Sequence, residues 1–295
     1  MGESRNLSNI LPAKLYRGLL MLTASWPGVR VSENSLLIKV HVVENSQKLP
    51  LIWCGGPPEL ETIISIIGKD RSIYGLRGTY DFVEPTDDVI CKLSQYYVDE
   101  IEKAISADTY IIAGYCAAAY LALEISTLLT ERGHKVGYLA MIERDVTETN
   151  RLLWFTRKIF NRLDTYGTRY TEALQSIDEN KHSLFTHLKY MPKIICKMAK
   201  PEVQTIDDPR NLISYKRRET RDKMYEFKPY PSNASLFFIR WGVFGFYQFK
   251  YFQNYWRKIA LGGVTVDFIE GYSHKYPNWP SIIQKVNKRL LESRY

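Results

Sequence analysis

The feature that most constrains this chain is the run Ile111-Ile112-Ala113-Gly114-Tyr115-Cys116-Ala117-Ala118-Ala119, which continues without a break into Tyr120-Leu121-Ala122-Leu123-Glu124. An apolar strand ending in Gly-x-Cys and passing straight into a helix-forming segment has the layout of a nucleophile elbow. That is the sharp strand-to-helix turn that lifts one reactive side chain above a sheet. The usual form is Gly-x-Ser-x-Gly. Here Cys116 stands at the nucleophile position and Ala118 replaces the closing glycine. The first change keeps a nucleophile and alters its chemistry. The second predicts a turn that is looser than usual, or strained.

The rest of the composition limits what such an elbow can serve. A chain of 295 residues suits one large α/β domain with an insertion, or two small domains. No apolar run reaches the ~18 residues of a membrane helix, so no membrane span is expected. Gly18 to Ala24 is too short for a signal peptide, and Asn6 stands where an N-myristoylation signal at Gly2 wants Ser or Thr. Cys54, Cys91, Cys116 and Cys196 are widely spread, which implies neither a metal site nor a disulfide framework. A reducing, cytoplasmic setting follows as the expectation, with no cofactor and no metal. The net charge is +8, and residues 151–200 carry ten Lys/Arg against four Asp/Glu. No zinc finger, RNA-recognition signature or glycine-rich phosphate loop accompanies this excess, so no nucleic-acid partner is expected. An acidic protein surface is the fitting counterpart.

Along the chain, residues 1–34 read as an N-terminal appendage, with a helical pattern over Leu11 to Thr23 closed by Pro27-Gly28. Strands are predicted at Ser35–Val43, Leu49–Trp53, Ser72–Leu76, Tyr110–Ala113, Val136–Ile142, Ala234–Arg240 and Val264–Ile269. Helices are predicted at Glu59–Ile67, Val89–Ser106, Ala117–Arg132 and Pro280–Leu291, the second from apolar residues at Ile90, Leu93, Tyr97, Val98, Ile101 and Ile105. The alternation predicts an α/β core over 35–295, with a mostly parallel sheet and flanking helices. It breaks between about 150 and 225, where helical periodicity without strands predicts an inserted lid.

Cys116 would sit at the carboxyl edge of the sheet, where open α/β folds bind ligands. The helix that starts just after it would favour the thiolate. A small buried hydrophobe is the alternative role for such a cysteine. Of the five histidines, His134 belongs to a turn at the far end of the sheet and His41 to an early strand, while His182 and His187 lie in the basic insertion. His274 follows the last strand, which makes it the candidate base in the chain order nucleophile, acid, base. The orienting acid is expected at the end of the Val136–Ile142 strand, with Glu143 preferred and Asp145 in reserve; either could equally pair with Arg144 on a solvated loop. One oxyanion-hole donor would be the N–H of Ala117. The other would be that of Gly55 or Gly56, since Pro57 and Pro58 have none. A purely structural Gly-Gly turn is the alternative there.

Taken together, these residues resemble the thioesterase domains of nonribosomal peptide and polyketide synthases and their free-standing relatives. The likeness runs from about Val42 to Leu291. It is carried by Leu49-Pro50-Leu51-Ile52-Trp53, by Ser72-Ile73-Tyr74-Gly75-Leu76, by Val98 to Ala117 with the elbow, by Glu124 to Val136, by Gly262-Gly263-Val264 and by Gly271-Tyr272-Ser273-His274. The resemblance implies an α/β-hydrolase fold with a helical lid, and a substrate delivered as a thioester on the phosphopantetheine arm of an acyl- or peptidyl-carrier protein. Such carriers are typically acidic, which suits the basic insertion. The chain departs from the family pattern in a shorter loop after the first core strand that lacks the common His-Pro, in Ala118 for glycine, and in Glu143 where Asp is usual. No carrier domain precedes the core, so a free-standing protein or an excised domain is expected; the oligomeric state stays open.

The expected reaction is acyl transfer through an acyl–Cys116 intermediate, released by water or by an internal or external nucleophile in natural-product biosynthesis. An acyl–cysteine is itself a thioester, close in energy to the carrier thioester, so shuttling of the group between carriers is the alternative. A non-catalytic binding protein with this fold is the reading from a different class.

Overall fold

The computed structural model describes residues 11–78, 86–142, 228–240, 253–270 and 277–293. All of these belong to one compact unit made of residues 1–146, 224–240 and 250–295. The lid expected at about 150–225 lies outside the described residues up to 227, as do Glu143, Asp145, His182, His187, Cys196 and His274.

Eight strands form one sheet: β1 (Val29–Arg30), β2 (Ile38–His41), β3 (Leu51–Cys54), β4 (Ile73–Leu76), β5 (Thr109–Tyr115), β6 (Lys135–Ile142), β7 (Ala234–Arg240) and β8 (Val264–Glu270). Their order is β1-β2-β4-β3-β5-β6-β7-β8. β2 runs antiparallel to β1 and to β4, and the remaining neighbours are parallel. Five helices are described: α1 (Ala13–Leu22), α2 (Pro57–Ile66), α3 (Asp87–Ala104), α4 (Ala118–Glu131) and α5 (Trp279–Glu292).

The central strands are apolar without alternation because both of their faces are covered. Successive residues of β3 enter opposite cores: Ile52 and Cys54 pack with α1, α3 and α4, whereas Leu51 and Trp53 pack with α2 and α5. The helix ends follow from local chemistry. Pro57 and Pro58 occupy the first turn of α2, where a missing N–H is harmless, so this helix begins two residues earlier than its apolar spacing predicts. Thr86 caps α3 by accepting the Val89 N–H at 3.3 Å. Gly133, at φ +91°, ends α4 in the left-handed conformation that glycine tolerates.

The N-terminal stretch is not an appendage from Leu11 onward. Leu11, Leu15 and Leu19 are buried in the core on the α3–α4 face. Arg30 ties the turn after α1 to it by donating to the Leu20 carbonyl at 3.0 Å and to Thr23 Oγ1 at 2.9 Å. On the opposite face α5 is held to β8 by Arg289, whose Nε and Nη2 donate to the buried carboxylate of Asp267 at 2.5 and 3.1 Å. Fixing α5 in this way places its first residue, Trp279, at the carboxyl edge of the sheet.

Candidate active site

The site is built where β5 becomes α4. Tyr115 ends the strand, Ala117 is already right-handed helical at φ −61° and ψ −30°, and Cys116 makes the turn between them with φ +51°. Asn45, which tolerates that region, is the other non-glycine residue with positive φ among the described residues. For a residue with a Cβ the conformation costs about 1–2 kcal/mol, so the surroundings must enforce it. They do so from both sides: the Cys116 N–H donates to the Ile142 carbonyl of β6 at 2.8 Å, and the Ala119 N–H donates to the Cys116 carbonyl at 3.1 Å.

Gly114 lets the helix fold back this tightly. A Cβ at that position would lie 2.7 Å from Ala119 Cα and 2.8 Å from Ala122 Cβ. Ala118, the substitution that raised doubt about the turn, is buried at the first position of α4. Its methyl faces Gly78, where even an added Cβ would stand 3.8 Å away. Residue 78 thus leaves the alanine uncrowded, and the backbone strain of the turn sits at Cys116.

Cys116 is half-buried and has not formed a disulfide. Cys54 also ends a strand at this edge, but it is fully enclosed, and burial pushes its thiol far above the ordinary range. Cys91 lies on α3 and is half-buried. The ring of Tyr115 meets that of Trp279 edge to face, with centroids 4.6 Å apart. β8 ends at Glu270 and α5 begins with Trp279 against the elbow; His274 falls between the two in sequence, outside the described residues.

Two histidines are placed elsewhere. His41 pairs with Ile73 at the start of β4, and its Nε2 lies 2.9 Å from the Gly68 carbonyl. His134 precedes β6, with Nε2 2.9 Å from Glu102 Oε1 and its ring edge-on to Tyr110. Both stand at the amino edge of the sheet, opposite Cys116, because parallel strands carry all their starts to one edge.

The loop after β3 is more occupied than its Gly-Gly predicts. The register pairs Cys54 with Gly114, so Gly56 and Cys116 each follow that last pair by two residues at the same edge of the sheet. Gly55 donates its N–H to the Leu76 carbonyl at 3.1 Å, extending the ladder with β4, which narrows the choice of donor to Gly56. Gly56 donates at 3.2 Å to Oε2 of Glu59, three residues into α2. Glu59 is 4% exposed, and burial pushes its carboxyl up to about 7 against the opposing pull of its backbone hydrogen bonds and of Arg77. The Arg77 backbone is clamped by the Tyr97 hydroxyl, which accepts from its N–H at 3.2 Å and donates to its carbonyl at 2.9 Å. Its guanidinium lies over the Trp26 ring. Glu59 and Arg77 converge on the bare side of Gly56: a Cβ there would lie 3.2 Å from Glu59 Oε2 and 3.1 Å from Arg77 Nη1. The sequence expectations did not single out this pair. The signal was a capping-box spacing, Gly56-x-x-Glu59, that starts a helix at the functional edge.

No group of three or more His, Cys, Asp or Glu suited to a metal ion occurs among the described residues. No described helix is long and apolar enough to cross a membrane.

The profile of the thioesterase domain family matches residues 72–289. No curated protein matches the chain. Among solved structures, the chain is similar to AB3403, a four-domain nonribosomal peptide synthetase in its holo form bound to AMP and glycine. The TM-score is 0.50 at 15% identity, over 86% of this chain and 20% of that one. It is also similar to YbtT, a type II thioesterase from the yersiniabactin NRPS/PKS pathway, with a TM-score of 0.49 at 14% identity over 88% and 99% of the two chains. For the NocB thioesterase domain, in covalent complex with a fluorophosphonate nocardicin G analogue, the score is 0.47 at 10% identity over 83% and 96%. At such identities the likeness to AB3403 speaks for the fold alone.

Proposed function

Because this chain belongs to the thioesterase domain family and has its α/β-hydrolase fold, we propose that it takes an acyl or peptidyl group from a carrier-protein phosphopantetheine thioester onto Cys116 and releases it from there. The observation that carries the reading is the left-handed backbone of Cys116 between β5 and α4. A strained turn held by hydrogen bonds on both sides is a costly way to place a residue that only packs.

In this mechanism His274 takes the Cys116 proton, or holds it as an ion pair, and Glu143 orients the imidazole with Asp145 in reserve. The position of Trp279 against Tyr115 supports His274, because it brings the end of that segment to the elbow. The Cys116 sulfur attacks the thioester carbonyl and forms a tetrahedral intermediate. Its oxyanion is met by the N–H of Ala117 and, from the β3 loop, of Gly56. Collapse expels the phosphopantetheine thiol, which leaves with the proton held by His274. The NRPS and PKS settings of YbtT and AB3403 motivate natural-product biosynthesis as the context, and a basic stretch at 151–200 suits an acidic carrier.

A second reading shares every step up to acyl–Cys116. A thioester intermediate is close in energy to the incoming thioester, so a second carrier thiol can collect the group. The cysteine at the nucleophile position favours this over a serine ester, which holds its acyl group less reactively towards thiols.

The test is intact-mass spectrometry after mixing the protein with acyl-loaded carriers. An acyl adduct that disappears in Cys116→Ala supports acyl transfer, and an empty second carrier then separates transfer from hydrolysis. No adduct and no turnover with any cognate carrier refutes the proposal.

A further inference from the structure

The buried acid at the mouth of α2 has no task in the reaction described above, yet it holds the N–H on which that reaction depends. Four observations bear on it. Gly55 is committed to Leu76, and Pro57 and Pro58 have no N–H, so Gly56 carries the one donor the β3 loop can offer. The Gly56 N–H is turned onto Glu59 Oε2. Glu59 is enclosed rather than solvated. The register pairs Cys54 with Gly114, so Gly56 and Cys116 each follow the last pair of β3 and β5 by two residues at the same edge of the sheet.

We propose that Glu59 is a positioning residue of the oxyanion hole, and that the Gly56 N–H serves the reaction only while Glu59 carries a proton. This assignment rests on the acyl-transfer reading. The ionised carboxylate accepts the Gly56 N–H and so competes with the developing oxyanion for the same donor. It also sets one negative charge beside another in a poorly solvated place, which opposes the transition state. The neutral acid is a weaker acceptor, and its own O–H is a donor. Glu59 takes this proton from solvent before the acyl group arrives and keeps it through the attack, so the reacting atoms exchange no proton with it. A neutral buried carboxylic acid working as a donor near an oxyanion is chemically reasonable where burial keeps it protonated.

The groups facing Glu59 fit this role. Arg77, from the turn after β4, is the charge that opposes its protonation. α5, which packs on α2, joins Leu60 and Ile63 of that helix in one apolar cluster through Ile282, Ile283 and Val286. Glu61, its nearest acidic neighbour on α2, points to solvent. The site is therefore set by one buried acid and one guanidinium, with Gly56 between them.

The experiment compares the full chain with Glu59→Gln in single-turnover acylation by an acyl-loaded carrier, read by intact mass from pH 6 to 8.5. Each rate is divided by the rate of Cys116 alkylation by iodoacetamide at the same pH, which removes differences in thiolate content. Titration of other groups is common to both proteins and cancels in their ratio. With a carboxyl near 7, the parent keeps only about 3% of its protonated form at pH 8.5, so the variant-to-parent ratio rises about thirtyfold from pH 6 to 8.5, whatever its absolute value. A helix cap with no other role gives a ratio that does not depend on pH, and that result overturns the proposal. Arg77→Gln serves if Glu59→Gln fails to fold. Without the guanidinium the fall in normalised rate moves to higher pH, and an unmoved fall overturns the proposal as well. A parent that is never acylated refutes the acyl-transfer reading itself. A parent that is acylated with a flat ratio refutes this assignment alone.

Discussion

Glu59 also permits a stability prediction that needs no substrate. Burial lifts its carboxyl from 4.5 to about 7 in the folded protein. In the unfolded chain the group is solvated and ionises near its ordinary value. Between these two values the folded state holds a proton that the unfolded state has lost, so stability must fall as pH rises through the interval. The slope is about 1.4 kcal/mol per pH unit, and over roughly 2.5 units the loss comes to about 3 kcal/mol. Glutamine cannot ionise and keeps an oxygen for the Gly56 N–H, so Glu59→Gln removes this term alone. The assay is urea denaturation of both proteins at half-unit steps from pH 4.5 to 8.5. The difference in unfolding free energy, variant minus parent, should climb by about 3 kcal/mol between pH 4.5 and 7 and then level off. A difference that stays flat across this window would show that the carboxylate is solvated when charged, and the burial argument would fail.

Three further outcomes follow from the elbow and the cysteines. At Cys116, glycine should make a more stable protein than alanine by about 1 kcal/mol, because glycine alone relieves the left-handed backbone; both lose the acyl adduct, and equal urea midpoints would contradict the strain. Gly114→Ala should lower stability by about 1–3 kcal/mol and abolish acylation, since its Cβ meets Ala119 Cα at 2.7 Å; acylation at the parental rate would count against the tight strand-to-helix contact. In the native protein iodoacetamide should label Cys116 and spare Cys54, whose thiol is enclosed and pushed far up; peptide mapping that finds Cys54 labelled as fast as Cys116 would reverse the assignment of the reactive thiol.

Much of this architecture was legible along the chain because it is local. The run from Tyr110 to Glu124 announces its strand, turn and helix by apolar continuity and by a glycine two residues before Cys116. The structure keeps that order, with β5 running Thr109–Tyr115 rather than Tyr110–Ala113 and α4 running Ala118–Glu131 rather than Ala117–Arg132. The helices misjudged at their ends were those where a cap decides, as at Pro57 and Pro58. The N-terminal stretch was misread for another reason. The leucines of α1 are spaced for a helix, but nothing nearby in sequence shows that the α3–α4 face of the sheet is there to receive them.

At the candidate site, the sequence by itself placed Cys116 at a strand-to-helix turn on the carboxyl edge of the sheet and His134 in a turn at the opposite edge. Each of these follows from strand direction and from order along the chain. Only the tertiary structure decided how the turn is held, why Ala118 fits, and which backbone donor the β3 loop has to offer. Those answers depend on groups far away in sequence: the Ile142 carbonyl on Cys116, Gly78 opposite Ala118, Leu76 on Gly55, and Arg77 beside Glu59. A parallel sheet brings strand ends together across long crossovers, and the partner of an N–H at that edge is set by packing that no local pattern records.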